Sequence, residues 1–419
     1  MSKLDELIQE YCPDGVEYKT LGEIATDIFR GSGIKRDQVT EDGIPCVRYG
    51  EIYTTYGIWF DSCVSHTRID FVQSPKYFSH GDILFAITGE SIEDIAKTCA
   101  YVGDDDCLAG GDIVVLKHNE NPKFLSYALA TEEARRQKSA GKVKSKVVHS
   151  SVPAIKAIRI PIPPLPVQSE IVRILDNFTE LTAELTAELT ARQKQYKYYR
   201  NLLLTFDDVA ETIMTERQTK LTDFRRSVKW FELQEIADFR NGKGHEKDIV
   251  ADGRYIVVNS KFISTSGQVK KFSNKQICPL FTDDILMVMS DLPNGRALAK
   301  CYLVETDDRY TLNQRIGALS VKKYDVVDTK YLFYILNRNE QLLRYDNGVD
   351  QTNLKKNDIL SIRIPLPSID MQKQIVEILD RFDALCNDFT SGLPAEIEAR
   401  QKQYEFYRDK LLTFEKAGM

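Results

Sequence analysis

Three stretches of this chain carry residue types whose spacing could do chemistry. FRGSG, Phe29–Gly33, has the F-x-G-x-G spacing of a glycine turn that many methyltransferases wrap around S-adenosylmethionine. An adenine methyltransferase also needs (D/N)PP(Y/F), and the one double proline here, Pro163-Pro164, sits inside PIPPLP. A matching stretch later in the chain reads FRNGKG, so both are read as tight turns. PDGVEYK, Pro13–Lys19, looks like a PD…ExK nuclease signature, but only two residues part Asp14 from Glu17. That is too few for an acid and an ExK on adjacent strands. Asp104, Asp105 and Asp106 read as an acidic loop, and no G-x-x-x-x-G-K-(S/T) phosphate loop is present. No catalytic triad has local support. The residues speak for binding rather than catalysis.

The eight cysteines include no C-x-x-C pair and the five histidines are scattered, which argues for reduced thiols and no bound metal. No run of 18 apolar residues exists, and the acidic, amphipathic N-terminus lacks the apolar centre of a signal peptide. A cytoplasmic protein without membrane contact is expected. The net charge of −6 argues against a free-standing nucleic-acid binder. The cations are nevertheless clustered. Arg135, Arg136, Lys138, Lys142, Lys144 and Lys146 follow one another without an acid, and Arg225, Arg226 and Lys229 form a smaller group.

Predicted turns collect the residues that reach phosphates and base edges. In the first half the candidates are Arg30, Ser32, Lys35, Arg36, Arg48, Thr88, Ser91, Lys142, Lys144 and Lys146. In the second half they are Arg240, Asn241, Lys243, Asn259, Lys261, Asn294, Arg296, Asn313, Gln314, Gln351 and Asn353.

What must position them is a repeat with a period of about 210 residues. VEYKTLGEIA (16–25) aligns with VKWFELQEIA (228–237), GDILFAITGES (81–91) with DDILMVMSDLP (283–293), and AKTCAYV (96–102) with AKCYLVE (299–305). DGIPCVRYGEIY and DGRYIVVNSKFI each read as turn then strand. FLSYALATEEARRQ and YLFYILNRNEQLLR each read as one short amphipathic helix. IRIPIPPLP and IRIPLP close the two halves. Framework stretches match while turns differ: GSGIKRD against GKGHEKD, AITGES against VMSDLP, KVKSKVV against VDQTNLK. One scaffold with two different reading edges implies two different half-sites.

After each half comes a long helix. From Gln168 to Phe206 the chain has no Gly or Pro, enough for a helix of ~58 Å. Its apolar seam is Ile171, Leu175, Phe178, Leu185, Leu189, Tyr196, Tyr199 and Leu203; with Thr182 and Arg192 in the two seam positions that are not apolar, the steps alternate four and three. The second copy, Gln372 to Phe414, carries Ile375, Leu379, Phe382, Phe389, Ile397, Tyr404, Tyr407 and Leu411. Its SGLP at 391–394 should kink or interrupt it. The expected class is α+β: globular parts at 1–166 and 216–367, a central helix and linker at 167–215, and a C-terminal helix at 368–419. To bury its seam the second helix must run antiparallel to the first, giving a pseudo-two-fold molecule.

The whole chain resembles the specificity (S) subunits of type I restriction–modification enzymes. The likeness rests on IRIPIPPLPVQSEIVRILDNF, its copy IRIPLPSIDMQKQIVEILDRF, the two ARQKQY blocks and the repeat LTAELTAEL. It implies two target-recognition domains, each reading half of a split, asymmetric sequence in double-stranded DNA. It implies an antiparallel coiled coil that docks two methyltransferase (modification) subunits, with motor-nuclease (restriction) subunits joining for cleavage. It places S-adenosylmethionine, ATP and magnesium on those partners, with no cofactor and no catalysis in this chain. The alternatives are a coiled-coil adaptor, a stand-alone DNA-binding protein, and a self-contained methyltransferase or nuclease.

Overall fold

The computed structural model describes residues 2–141, 147–206, 228–293, 295–388 and 391–417. Lys142, Lys144, Lys146, Asn294, Phe389, Arg225 and Arg226 lie outside the described residues. The chain divides into two units, Met1–Glu188 with Ala395–Met419, and Leu189–Pro394.

Each unit is built on two sheets. In the first unit one sheet has the order Ala25–Arg30, Ile113–His118, Ile83–Ala86, Thr98–Tyr101, Trp59–Phe60. The other has Val39–Thr40, Ser65–Thr67, Ile44–Val47, Cys107–Ala109, Tyr77–Phe78. The second unit repeats this with four strands in each sheet. They are Ala237–Asn241, Ile316–Val321, Ile285–Val288, Cys301–Leu303, and Ile249–Val250, Phe272–Ser273, Tyr255–Val258, Tyr310–Leu312.

The apolar runs ILFA and ILMV show no polar alternation because both faces of their strand are covered. Successive side chains of a strand point to opposite faces. Ile83 and Phe85 enter one core, and Leu84 and Ala86 another. Ile285 and Met287 part from Leu286 and Val288 in the same way.

The glycine turns act as a crossing from one sheet to the other. A Cβ on Gly31 would stand 2.3 Å from the Gly110 carbonyl, and one on Gly242 would stand 1.9 Å from that of Asn313. Gly31 donates to the Ile113 carbonyl at 2.9 Å and Gly242 to that of Ile316 at 3.1 Å. Close backbone approach therefore accounts for these glycines.

Each unit is closed by an antiparallel strand pair, Tyr18–Thr20 with Arg159–Pro161 and Lys229–Glu232 with Arg363–Leu366. The central helix then runs Leu165–Leu204, three residues earlier at its start than the seam indicates. Pro166 is tolerated in its first turn, where backbone N–H groups have no helical partner. Thr182 and Thr186 fold their hydroxyls back onto the carbonyls of Phe178 and Thr182 at 2.8 and 2.7 Å.

The second long helix is interrupted, as SGLP indicates, into Ile369–Asn387 and Leu393–Leu411. A Cβ on Gly392 would sit 2.5 Å from the Ala384 carbonyl, so only glycine lets the chain fold back on the helix end. In the first unit Phe178 stacks on Tyr407, ring centres 5.5 Å apart. In the second, Phe382 meets Tyr196 at 6.2 Å and Tyr199 at 5.7 Å. As numbers rise along the central helix they fall along its partners, the antiparallel order. Ile171, Leu175, Ile375 and Leu379 are fully or almost fully buried, and Tyr199 and Tyr407 each keep 37% of their surface exposed at the edge of the seam.

Two local readings need correction. CVRYGEIY and VVNSKFI do not continue as strands: helices Tyr49–Thr54 and Ser260–Ser264 follow Arg48 and Asn259. Arg48-x-x-Glu51 and the Asn259 side chain, which accepts from Phe262 N at 2.9 Å, start these helices. The single amphipathic helix expected in each half is two helices. Pro122–Ala130 precedes Glu132–Ser139, and Thr329–Leu336 precedes Glu340–Leu343. Extended Thr131 and Asn339 cap the second of each pair.

Candidate nucleic-acid interface

The stretches that differ most between the halves are paired with one another in space. Thr88-Gly89 forms a two-stranded ribbon with Val148-His149, directly after the 142–146 segment. Ser290-Asp291 forms the matching ribbon with Thr352-Asn353. Gln351 and Asn353 thus stand beside Ser290, with Gln351 donating to its hydroxyl at 2.7 Å. The other variable turns meet at the sheet crossing. Ser32 bridges Gly110, and Lys243 bridges Asn313, beside Gln314. Each unit therefore gathers part of its candidates into a ribbon and a crossing turn, while Arg48, Asn259 and Lys261 stand at the starts of the helices Tyr49–Thr54 and Ser260–Ser264, and Lys35 and Arg36 at the turn Arg36–Gln38.

The side chains fall into two groups. Lys35, Arg36, Asn241, Lys243, Lys261 and Arg296 are exposed, and among the described residues no acid pairs with these cations. The others are engaged by the fold. Arg30 pairs with Asp112 at 2.7 Å. Arg48 pairs with the buried Glu51 at 3.1 Å, which also accepts from Ser65 at 2.7 Å. Arg240 pairs with Asp284, which is 3% exposed. Thr88 is buried against His149 at 3.1 Å, and Ser91 donates to Glu93 at 2.6 Å. Gln314 donates to Glu246 at 3.0 Å.

The basic run after Thr131 is also divided. Arg136 is held by Glu133 at 2.8 Å. Lys138 turns inward, 6% exposed, and donates to the Leu129 carbonyl at 2.8 Å. Burial pulls its amine down from 10.5 to about 7, and Arg135 adds to this. Folded Lys138 is therefore neutral above about 7, where an unfolded lysine keeps its proton to near 10. Stability must rise with pH across that window. Urea unfolding of the first unit should show a gain of roughly 2 kcal/mol between pH 7 and 9, and Lys138→Met should flatten it. An equal slope in that variant would refute the assignment.

Residues that sequence reasoning passed over hold the globular parts to the helices. Gln168 and Gln372 are fully buried. Tyr127 donates to Asp176 at 2.8 Å and Tyr334 to Asp380 at 2.7 Å. Lys123 and Lys330 pair with the same two aspartates, each at 2.8 Å. The signal was in the repeat itself, which carries these polar residues unchanged in both halves. Among the described residues no group of three or more His, Cys, Asp or Glu could hold a metal ion, and no helix is long and apolar enough to cross a membrane.

Comparison with known proteins gives the arrangement a family. The type I restriction modification DNA specificity domain matches twice, at residues 13–192 and 226–399. The chain is 36% identical over 283 residues to the type I restriction enzyme EcoR124I/EcoR124II specificity subunit of Escherichia coli. That match covers 62% of this chain and 64% of the relative, so it spans less than two thirds of the relative's length. Among solved structures, the S subunit of a type I restriction-modification system from M. genitalium superposes with a TM-score of 0.55 at 16% identity. It covers 95% of this chain and 96% of that one. A chain solved in work on complex assembly and conformational transition of the type I R-M system gives 0.58 at 16% identity, covering 96% and 98%. Both likenesses concern the fold. Matched in both of its halves, the chain belongs to the type I restriction modification DNA specificity domain family.

Proposed function

We propose that this chain is the DNA sequence-recognition subunit of a type I restriction–modification complex. Each unit reads one half of a bipartite, asymmetric site in double-stranded DNA. The helices dock two methyltransferase subunits, and motor-nuclease subunits complete the cleaving assembly. S-adenosylmethionine, ATP and magnesium belong to those partners, and this subunit is not catalytic. The observation that carries the reading is the pairing of variable stretches in equivalent ribbons on a shared scaffold. The acidic net charge fits a reader that borrows cations from its partners, because phosphate neutralisation supplies most non-specific affinity.

Gel shifts and methylation assays test this. The purified chain should show weak DNA binding and no methyl transfer. With a methyltransferase partner it should bind tightly at one sequence. Methyl transfer by the chain alone would point to a self-contained enzyme, and no shift even with the partner would point to an adaptor.

Within this reading the two groups of side chains should behave differently. Lys261→Ala should weaken binding of the complex and lower the slope of log affinity against log salt by about 1. Arg240→Ala should instead destabilise the second unit by roughly 1–3 kcal/mol, because Asp284 is left buried without its cation. Binding and urea titrations on the same samples separate the two effects.

A further inference from the structure

We propose that a groove in the second unit binds a phosphate-type oxyanion. The groove is a cavity of about 420 Å³ between the end of the central helix, the turn after Leu336 and the strand Arg363–Leu366. Lys197, Arg200, Arg338 and Arg363 line it, and among the described residues Glu340 is the single acid in the lining. Among the described residues none of the four cations has an acidic partner. Arg200 spends one nitrogen on the carbonyls of Tyr334 and Asn337, yet its Nε is buried with no hydrogen-bond acceptor. Arg338 donates to the Leu298 carbonyl at 3.0 Å, and the Arg363 guanidinium lies 5.4 Å from the centre of the Trp230 ring. Like charges collected without counter-charges repel one another and cost stability. A dianion offsets that repulsion and suits forked guanidinium donors.

The first unit supplies a built-in comparison. Its equivalent groove, about 410 Å³, has Glu132, Glu133 and Asp409 against Arg136 and Arg159. Aligning ARQKQYKYYRN with ARQKQYEFYRD sets Lys197 against Glu405 and Asn201 against Asp409. Arg408, the counterpart of Arg200, is neutralised by Asp409 at 2.7 Å. The scaffold of the groove is duplicated and its charge is not. The fold therefore does not require the cations, and a ligand specific to the second unit accounts for them. Its phosphate can come from a free anion or from a nucleic-acid backbone.

Calorimetric titration of the full chain with sodium pyrophosphate at low salt tests this, with Trp230 fluorescence as a second readout. One equivalent should bind. Lys197→Glu and Arg363→Ala should each weaken binding at least tenfold, and Lys197→Arg should preserve it. Thermal melts identify any variant that fails to fold, and Lys197→Gln and Arg363→Gln, which remove the charge at nearly the same length, then replace it with the same expected weakening. A short duplex that displaces pyrophosphate assigns the site to backbone phosphates, and failure to displace it assigns a free anion. Absence of pyrophosphate binding, or binding that ignores Lys197→Glu and Arg363→Ala, overturns the proposal. Loss of sequence recognition through the turn residues would leave this titration unchanged.

Discussion

Gln372→Leu should lower the stability of the second unit by about 3–5 kcal/mol, and Gln168→Leu should do the same to the first. Gln372 donates to the carbonyls of Val326 and Pro367 at 2.8 and 2.9 Å and accepts from Asp328 N at 2.9 Å. Gln168 donates to the Pro163 carbonyl and to Glu120, both at 2.7 Å, and accepts from Asn121 N at 3.0 Å. Both side chains have no exposed surface. Leucine fills nearly the same volume but abandons three partners where little water can replace it. Each unsatisfied group costs about 1–3 kcal/mol, and the costs overlap because the partners are neighbours. The two tryptophans, Trp59 and Trp230, lie one in each unit. Urea unfolding followed through single-tryptophan versions therefore reports each unit separately. A loss below about 1 kcal/mol in the affected unit would show that these glutamines are passengers.

Insertion of one Thr-Ala-Glu-Leu after Leu189 should lengthen the gap between the two recognised half-sequences by one or two base pairs. Four residues add ~6 Å and turn the helix by a further ~40° beyond a full circle. One base pair adds ~3.4 Å and about 34–36° of twist. One pair matches the rotation and two match the rise, so the increment falls between these limits. The insertion sits inside LTAELTAELTA, where it repeats the existing pattern and adds no Gly, Pro or unpaired charge run. The partner helix is not lengthened, so the pair acquires one extra four-residue step that locally relaxes the supercoil. Sequencing of methylated DNA from cells carrying the variant complex reads the gap directly. An unchanged gap would mean that the helix does not set it.

Much of this architecture was legible because it is written twice. The seam residues Ile171, Leu175, Ile375 and Leu379, the strand runs ILFA and ILMV, and the break at SGLP each follow from local pattern. The ribbons could not be read from pattern, since Thr88 meets His149 from 61 positions away. Arg30 and Arg240 look like DNA contacts in sequence because their acids, Asp112 and Asp284, lie 82 and 44 positions away. Arg48 is different. Its partner is only three residues on, and the Arg48-x-x-Glu51 spacing was a usable sign of a helix start. Gln168 and Gln372 were hidden for a further reason. A polar residue in a helical pattern reads as solvent-facing, and only the returning loops at 120–121 and 326–328 bury it.

The proposed function requires that each unit read its own half of the DNA site. Exchange of residues 229–366 for the matching segment of another family member, followed by sequencing of methylated DNA, tests it most directly. The prediction is that one half of the methylated sequence changes while the other half and the gap stay the same. A change in both halves together, or in neither, would contradict it.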